Sequence, residues 1–304
     1  MRAFVVLNPA AGQQASEAVR QALGHRFGAA RIPYVIHETR ASERPGDLVR
    51  ARLREGFDLA VAAGGDGTVS AVIDGLVGSS VPLGIVPIGT GNLVARELGI
   101  PDGIDAAVAL IAGSPGGRQI DAMRIGERVY ALNVSIGVSA SVVGGTTSTN
   151  KNRFGRVAYV WTTLLKIFTL RPRRLVVAVD GVEHEYRAIE VAILNGGAFT
   201  GSLPRKELAI RLDDGHLDVL IVGVNAWRDY VRCFFSILAG RPAAVPALHR
   251  RARRRVAIRS RDRLAVQADG DVIGTTPIEV EFLPGAVTVL APGTAGTVTA
   301  PDPD

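Results

Sequence analysis

Between Leu59 and Leu98 the chain alternates unbroken apolar runs with glycine-rich turns and then with helical spacing. Leu59 to Ala63 meets Gly64-Gly65-Asp66-Gly67-Thr68, after which Val69, Val72, Ile73 and Leu76 recur at the spacing of one helix face. Leu83 to Val86 repeats the plan, meeting Pro87-Ile88-Gly89-Thr90-Gly91-Asn92 before a second helical pattern. Upstream, Ala3 to Leu7 predicts a buried strand ending at Asn8-Pro9, with Gly12 in the turn. A helix over Ala15 to Leu23, a strand over Ile32 to Ile36 and a helix over Pro45 to Glu55 follow. Pro45 falls in a first turn, where a missing N–H costs nothing. Strands that are apolar throughout, alternating with helices, predict a parallel sheet covered on both faces, with ligands at the strands' C-terminal ends.

The pattern changes after a helix at Gly103 to Ala112 and a flexible turn at Gly113 to Gly117. Val129 to Ile136, Leu175 to Val179, Glu185 to Leu194, Leu208 to Ile210, Leu217 to Val222, Arg255 to Ile258, Leu264 to Ala268 and Ile278 to Phe282 read as strands. Turn signals such as Asp180-Gly181, Asn195-Gly196-Gly197 and Asp213-Asp214-Gly215 separate them, which predicts an antiparallel β-sandwich. Two segments keep helical spacing instead, Phe154 to Leu170 and Ala226 to Leu238; each fits packing on the sheet or a wall of an acceptor groove, and the first, with Trp161 and the basic residues around it, also fits an interfacial helix. The expected organisation is an α/β domain over residues 1–125 and a sandwich domain over residues 126–284, with Thr297 to Asp304 as a loose tail.

Composition narrows the class. The 304 residues are 47% hydrophobic and 21% charged, which is that of a soluble globular chain. The longest apolar stretch, Val157 to Leu170, is interrupted by Lys166 and is too short to span a bilayer. The N-terminus resembles a first strand rather than a signal peptide. Cys233 is the single cysteine, so no internal disulfide forms, and a cytoplasmic location is expected. The net charge of +6 rests on arginine, with lysine only at Lys151, Lys166 and Lys206. Two basic runs, Arg171 to Arg174 and His249 to Arg255, are solvated loops, contacts for an anionic membrane surface, or Arg-rich segments of the kind that bind RNA. No zinc spacing or recognition helix favours a specific nucleic acid. Oligomeric state stays open between monomer and homodimer.

Two strand–turn–helix units in tandem direct backbone N–H groups and positive helix ends at one place, which suits a phosphate chain. Neither is a Walker A loop, since no Gly-Lys-Ser/Thr occurs, nor a dinucleotide fingerprint, since Ser70 replaces its third glycine. Asp66 is the carboxylate among these glycines and is expected to hold Mg²⁺ against the phosphates.

The ordered set Asn8-Pro9-Ala10-Ala11-Gly12, Gly64 to Thr68, Pro87 to Asn92, Asp214-Gly215-His216-Leu217-Asp218 and Asp269-Gly270-Asp271 resembles the diacylglycerol/sphingosine kinase catalytic family. The likeness runs over essentially the whole chain; Gly64 to Thr68 taken alone is shared with NAD kinases and phosphofructokinases. The resemblance implies that family's fold, with the chain's end, about 285–304, returning to the first domain. It implies an ATP- and Mg²⁺-dependent kinase acting on a diacylglycerol-like lipid, cytoplasmic and peripheral at a membrane. Nucleotide contacts fall on Asn8, Ala10, Ala11, Gly12, Gln13, Thr39, Gly64, Gly65, Asp66, Gly67, Thr68, Gly89, Thr90, Gly91 and Asn92. Asp271 falls where the family usually has a glutamate base, one methylene shorter, with Asp269 as a partner in that role. A structural Mg²⁺ falls on Asp214 with the carbonyls of Arg211 and His216, and Asp121 falls in the Mg²⁺–water network around Asp66. Gln13, Ser70-Ala71 and Leu93 depart from the family's usual lysine, Asn-Glu and aspartate. An NAD kinase-type phosphotransferase and a non-catalytic nucleotide- or lipid-binding relative are the competing readings.

Overall fold

A computed structural model of the chain describes residues 1–40, 43–113, 116–137, 172–197, 210–223 and 247–293. The chain divides into two compact units, Met1–Gln119 with Val287–Asp304, and Ile120–Ala286. The predicted helices at 154–170 and 226–238, Cys233, most of the strand predicted at 208–210 and the start of the first basic run lie outside the described residues.

In the first unit β1 (Ala3–Leu7), β2 (Tyr34–Glu38), β3 (Leu59–Gly64) and β4 (Leu83–Pro87) pair in parallel, in the order β2-β1-β3-β4. Strands β1, β3 and β4 are buried at every residue, which is why their sequences show no polar alternation. The helices are α1 (Gln13–Ala29), α2 (Pro45–Leu53), α3 (Asp66–Leu76), α4 (Leu93–Glu97) and α5 (Ile104–Ala112). Their buried stripes include Val19, Leu23 and Phe27 of α1, Val72, Ile73 and Leu76 of α3, and Val108 and Ile111 of α5. Each such side chain contributes about 1.5–3 kcal/mol on burial. Helices α2 and α3 approach through glycine: a Cβ on Gly75 would lie 2.6 Å from the Gly46 carbonyl oxygen. Arg50 of α2 clasps the same contact, donating to the Asp74 carboxylate at 2.7 Å.

The second unit is antiparallel. Its strands are β5 (Gly117–Ile125, entering from the first unit), β6 (Arg128–Tyr130), β7 (Asn133–Gly137), β8 (Arg173–Val179), β9 (Val182–Ala188) and β10 (Glu190–Leu194). They continue with β11 (Leu217–Val222), β12 (Ala247–Ala252), β13 (Arg255–Ser260), β14 (Ala265–Ala268), β15 (Asp271–Thr275) and β16 (Ile278–Leu290). One sheet runs β12-β11-β10-β7-β14-β15; the other contains β16-β13-β8-β9, with β5 and β6 attached. Val134, Ile136, Val191, Ile193, Val219 and Ile221 of the first pack with Leu175, Val177, Val256, Ile258 and Val280 of the second.

Three strand predictions and one loop reading change. The run at 129–136 is two strands, broken at Ala131-Leu132, whose N–H groups turn to the carboxylate of Asp269. The run at 185–194 breaks at Ile189, and its halves join different sheets: β9 is a largely exposed edge and β10 is wholly buried. The strand expected at 278–282 continues to Leu290. The basic run at 249–255 is not a loop; it forms most of β12, a tight turn and the start of β13.

Candidate functional site

The parallel strands end in register. Leu7 stands opposite Glu38 and Ala63, and Gly64 opposite Pro87. The ladder extends one residue further, through Thr39 N–H to Leu7 (2.9 Å), Asn8 N–H to Ala63 (2.9 Å) and Ile88 N–H to Gly64 (3.1 Å). The four segments singled out from the sequence therefore open on a single edge of the first unit.

Side chains then lock the turns together. Asn8 accepts from the Ala10 N–H at 3.0 Å and donates to Thr68 Oγ1 at 3.1 Å, joining the first turn to the second. Asp66 Oδ1 accepts from the N–H groups of Leu93 (2.6 Å) and Val94 (3.3 Å), so the second turn caps the helix that follows the third. Asn92, at φ 50°, folds its amide back on Gly89, accepting from its N–H and donating to its carbonyl. Glycine is needed here largely because protein packs on protein. A Cβ on Gly89 would lie 2.4 Å from Gly65 Cα, and one on Gly64 2.3 Å from Thr68 Oγ1. Gly12 and Gly67 instead face open space.

Helices α1 and α3 both start at this edge, with Gly12 and Gly65 at their N-caps and no side-chain cap bond on either. Ala10 and Ala11 form a short 3-10 turn ahead of Gln13, the first residue of α1, and Thr90 is exposed in the last turn. Such uncapped first turns favour anions. Asp66 Oδ2 takes no part in the cap of α4, and a Cβ on Gly91 would lie 2.6 Å from it. The bare glycine keeps that oxygen reachable. A carboxylate oxygen beside uncapped helix starts that favour anions fits Mg²⁺, a hard cation that takes oxygen donors.

In the second unit the other predicted residues form two clusters. Asp269 and Gly270, at φ 46° and 98°, make the turn between β14 and β15. The Asp269 carboxylate accepts from Ala131 (2.8 Å), Leu132 (3.0 Å) and Asn133 (2.9 Å), so it holds backbone rather than projecting from the turn. Asp271 opens β15 as an exposed carboxylate. Asn195 is fully buried and donates to the carbonyls of Asp121 and Ala131. In sequence it carried only a turn signal.

Asp121, expected in a metal network with Asp66, is a brace within the second unit: its two oxygens accept from Gly215 (2.9 Å) and Gly285 (2.8 Å). Asp214 accepts from the N–H of Arg211 (3.0 Å) and of His216 (3.4 Å), while Arg211's guanidinium pairs with Asp213. Burial, the largest influence, raises the Asp214 carboxyl above its ordinary range, with the neighbouring Asp218 charge adding to it; the Arg211 N–H and the His216 charge oppose. The side-chain donors gathered here are Asp214, His216 and Asp218. Sequence reading placed only carbonyl donors beside Asp214. It missed Asp218 and its neighbour His249, which paired strands β11 and β12 bring together from distant segments.

The family models divide the chain in a similar way. Residues 2–125 match the diacylglycerol kinase catalytic domain, and residues 132–291 match the YegS C-terminal NAD kinase beta sandwich-like domain. A diacylglycerol kinase of Bacillus subtilis is 27% identical over 96% of this chain and 96% of that protein. A protein of Stenotrophomonas maltophilia named as a probable YegS-like lipid kinase is 30% identical over 91% of this chain and 92% of its own. The solved structure of a diacylglycerol kinase from Bacillus anthracis superposes with a TM-score of 0.71 at 22% identity, covering 95% of this chain and 96% of that one, and shares the fold. With its motif series, parallel α/β domain and antiparallel sandwich, the chain belongs to the diacylglycerol kinase and YegS-like lipid kinase family.

Proposed function

We propose that this chain is an ATP- and Mg²⁺-dependent kinase that transfers the γ-phosphoryl group to the hydroxyl of a diacylglycerol-like lipid. The observation that carries the reading is the strand edge of the first unit. There Asp66 spends one oxygen on α4 and keeps the other reachable, beside the uncapped first turns of α1 and α3. Those N–H groups, with Asn8 and Thr39, orient the triphosphate, and Gly12 and Gly67 leave room for it. Mg²⁺, when bound through Asp66, would offset the phosphates' negative charge.

Asp271 takes the acceptor's proton as that oxygen bonds to the γ-phosphorus and the bond from γ-phosphorus to the β,γ-bridging oxygen breaks. Asp269 positions it, since its carboxylate is committed to three backbone N–H groups. The acceptor is met at an anionic, cytoplasm-facing membrane surface, where the exposed Arg250, Arg251, Arg253 and Arg254 of the β12–β13 hairpin each contribute about 1 kcal/mol. No helix among the described residues is long and apolar enough to cross a membrane.

The test is transfer of labelled γ-phosphate from ATP to a panel of lipids in micelles, with NAD as a parallel acceptor. Labelled lipid should form with wild type and fall at least about 100-fold with Asp271→Asn, as removal of a general base costs; it should also fall with Asp66→Asn, which removes the carboxylate that would hold Mg²⁺. Gly91→Ala should raise the KM for Mg-ATP with little change in melting temperature. Labelled NADP would overturn the acceptor, and bound ATP without turnover on any lipid would overturn the catalytic reading. Flotation on anionic liposomes should weaken with Arg250→Ala/Arg251→Ala/Arg253→Ala; equal binding would remove the membrane role of the hairpin.

A further inference from the structure

Two turns meet at one end of the second unit. Asp180-Gly181, at φ 51° and 94°, closes β8 on β9, and Arg253-Arg254 closes β12 on β13. Strands β8 and β13 are paired, with Val179 opposite Val256, so the turns lie side by side. Asp180 fastens them. Its carboxylate accepts from the N–H groups of Arg253 (2.8 Å), Arg254 (2.9 Å) and Arg255 (3.0 Å), and its own N–H donates to the Arg255 carbonyl at 2.9 Å. Val182, the first residue of β9 and opposite Val179, is thereby held beside the arginine turn.

Charge on this tip is unbalanced. Arg255 pairs with Glu279, and Arg251 reaches Asp218 at 3.8 Å. Arg250, Arg253 and Arg254 are exposed and make no ion pair among the described residues. The acidic groups near by are spent: Glu183 on Arg259, Glu185 on Arg174, and Asp180 on backbone N–H groups. Val182 stands among these cations at 60% exposure, the most exposed large hydrophobic side chain among the described residues. A lone exposed valine is ordinary on a protein surface. One fixed by a tight turn beside three uncompensated arginines joins an apolar group to cationic ones, and an anionic bilayer surface offers a counterpart to both. The phosphate backbone of RNA offers one only to the arginines.

We propose that these two turns form one docking point on an anionic lipid bilayer, where Val182 enters the headgroup layer while Arg250, Arg253 and Arg254 meet the lipid phosphates. This docking point rests on the membrane encounter proposed above and adds to it the β8–β9 turn and an apolar anchor. It is independent of phosphoryl transfer.

In full-length protein with Cys233→Ser and Val182→Cys, a polarity-sensitive fluorophore on residue 182 reads insertion directly. It should brighten and shift to the blue with phosphatidylcholine vesicles that contain phosphatidylglycerol, and stay unchanged with phosphatidylcholine alone. The same label on Arg261→Cys, just past the far end of β13, should not respond. In flotation Val182→Ala should weaken binding about fivefold, by the same factor at low and at raised salt. Arg253→Ala and Arg254→Ala should each weaken it about fivefold at low salt and little at raised salt. Val182→Trp should bind more tightly, a gain that misfolding cannot produce. Val182→Ala should still phosphorylate a short-chain, water-soluble diacylglycerol at the wild-type rate, so docking and catalysis are read apart. No lipid product, with a full response at residue 182, would sink the kinase reading and leave the docking point standing. A label at 182 that stays in water while wild type floats, Val182→Trp binding no better than valine, or a tip that binds single-stranded RNA and ignores vesicles would each overturn it.

Discussion

Asp180 and Asp269 each open an Asp-Gly turn in the left-handed conformation, at φ 51° and 46°, and each carboxylate collects three successive backbone N–H groups. Asp180 takes those of Arg253, Arg254 and Arg255, and Asp269 those of Ala131, Leu132 and Asn133. Asn-Gly and Asp-Gly favour such turns because both positions need positive φ. For Asp180, burial works against the charge, but the three donors and the Arg254 charge together hold its carboxyl below the usual value of 3.8. A depressed native value means that the carboxylate stabilises the fold above the unfolded value and loses that contribution as pH falls through the native one. Asp180→Asn should therefore lower the melting temperature at pH 7, and the gap from wild type should close below about pH 4. A gap that is constant from pH 7 to pH 2 would show that charge is not the cause. The same geometry explains why Asp269-Gly270-Asp271 was hard to read. Local sequence gives two carboxylates in a turn, and only the partners at 131–133, far away in the chain, show that one is a backbone clamp.

At the scale of elements, glycine separates packing from binding. Gly75 lets α3 lie against α2: a Cβ there would meet the Gly46 carbonyl and Val49 Cβ at 2.6 Å. Gly67, in the first turn of α3, faces open space. Gly75→Ala should cost about 1–3 kcal/mol by overpacking and lower the melting temperature. Gly67→Ala should hold or raise the melting temperature, since alanine loses less conformational freedom in a helix, while ATP affinity falls. If both changes destabilise equally, the distinction fails. These strand–turn–helix units were readable because buried parallel strands give unbroken apolar runs and glycine punctuates their ends. The second unit was harder to parse. The apolar pattern passes straight through Ala131-Leu132 and through Ile189, and the breaks come from partners distant in sequence: Asp269 for the first, and for the second the carbonyl of Val222, which accepts the Ile189 N–H at 2.9 Å. The arginine run hid β12 for a different reason. An edge strand tolerates exposed charge, so β-structure there carries no apolar alternation.

The molecule as a whole turns on β16, the strand whose length the sequence understated because Pro284-Gly285 reads as a terminator. Its first half pairs antiparallel with β13, from Ile278 opposite Ile258 to Glu281 opposite Arg255. Its far end pairs in parallel with β4, Val289 opposite Leu83. Val287, Val289 and Ala291 are buried there, at 2%, 0% and 1% exposure. The first unit is thus completed by residues that arrive last in the chain, and its early segment alone leaves the outer edge of β4 without its neighbour. A chain ending at Ala286 keeps the pairing with β13 and loses the pairing with β4. Hydrogen exchange should then rise across Leu83–Pro87, and nucleotide affinity should fall because that strand carries the Ile88–Asn92 turn. Protection across Leu217–Val222 should stay as in the full chain. Unchanged protection in β4 would mean that the early segment folds without its returning strand. Loss in both units together would mean that β16 nucleates the whole chain rather than completing one part of it.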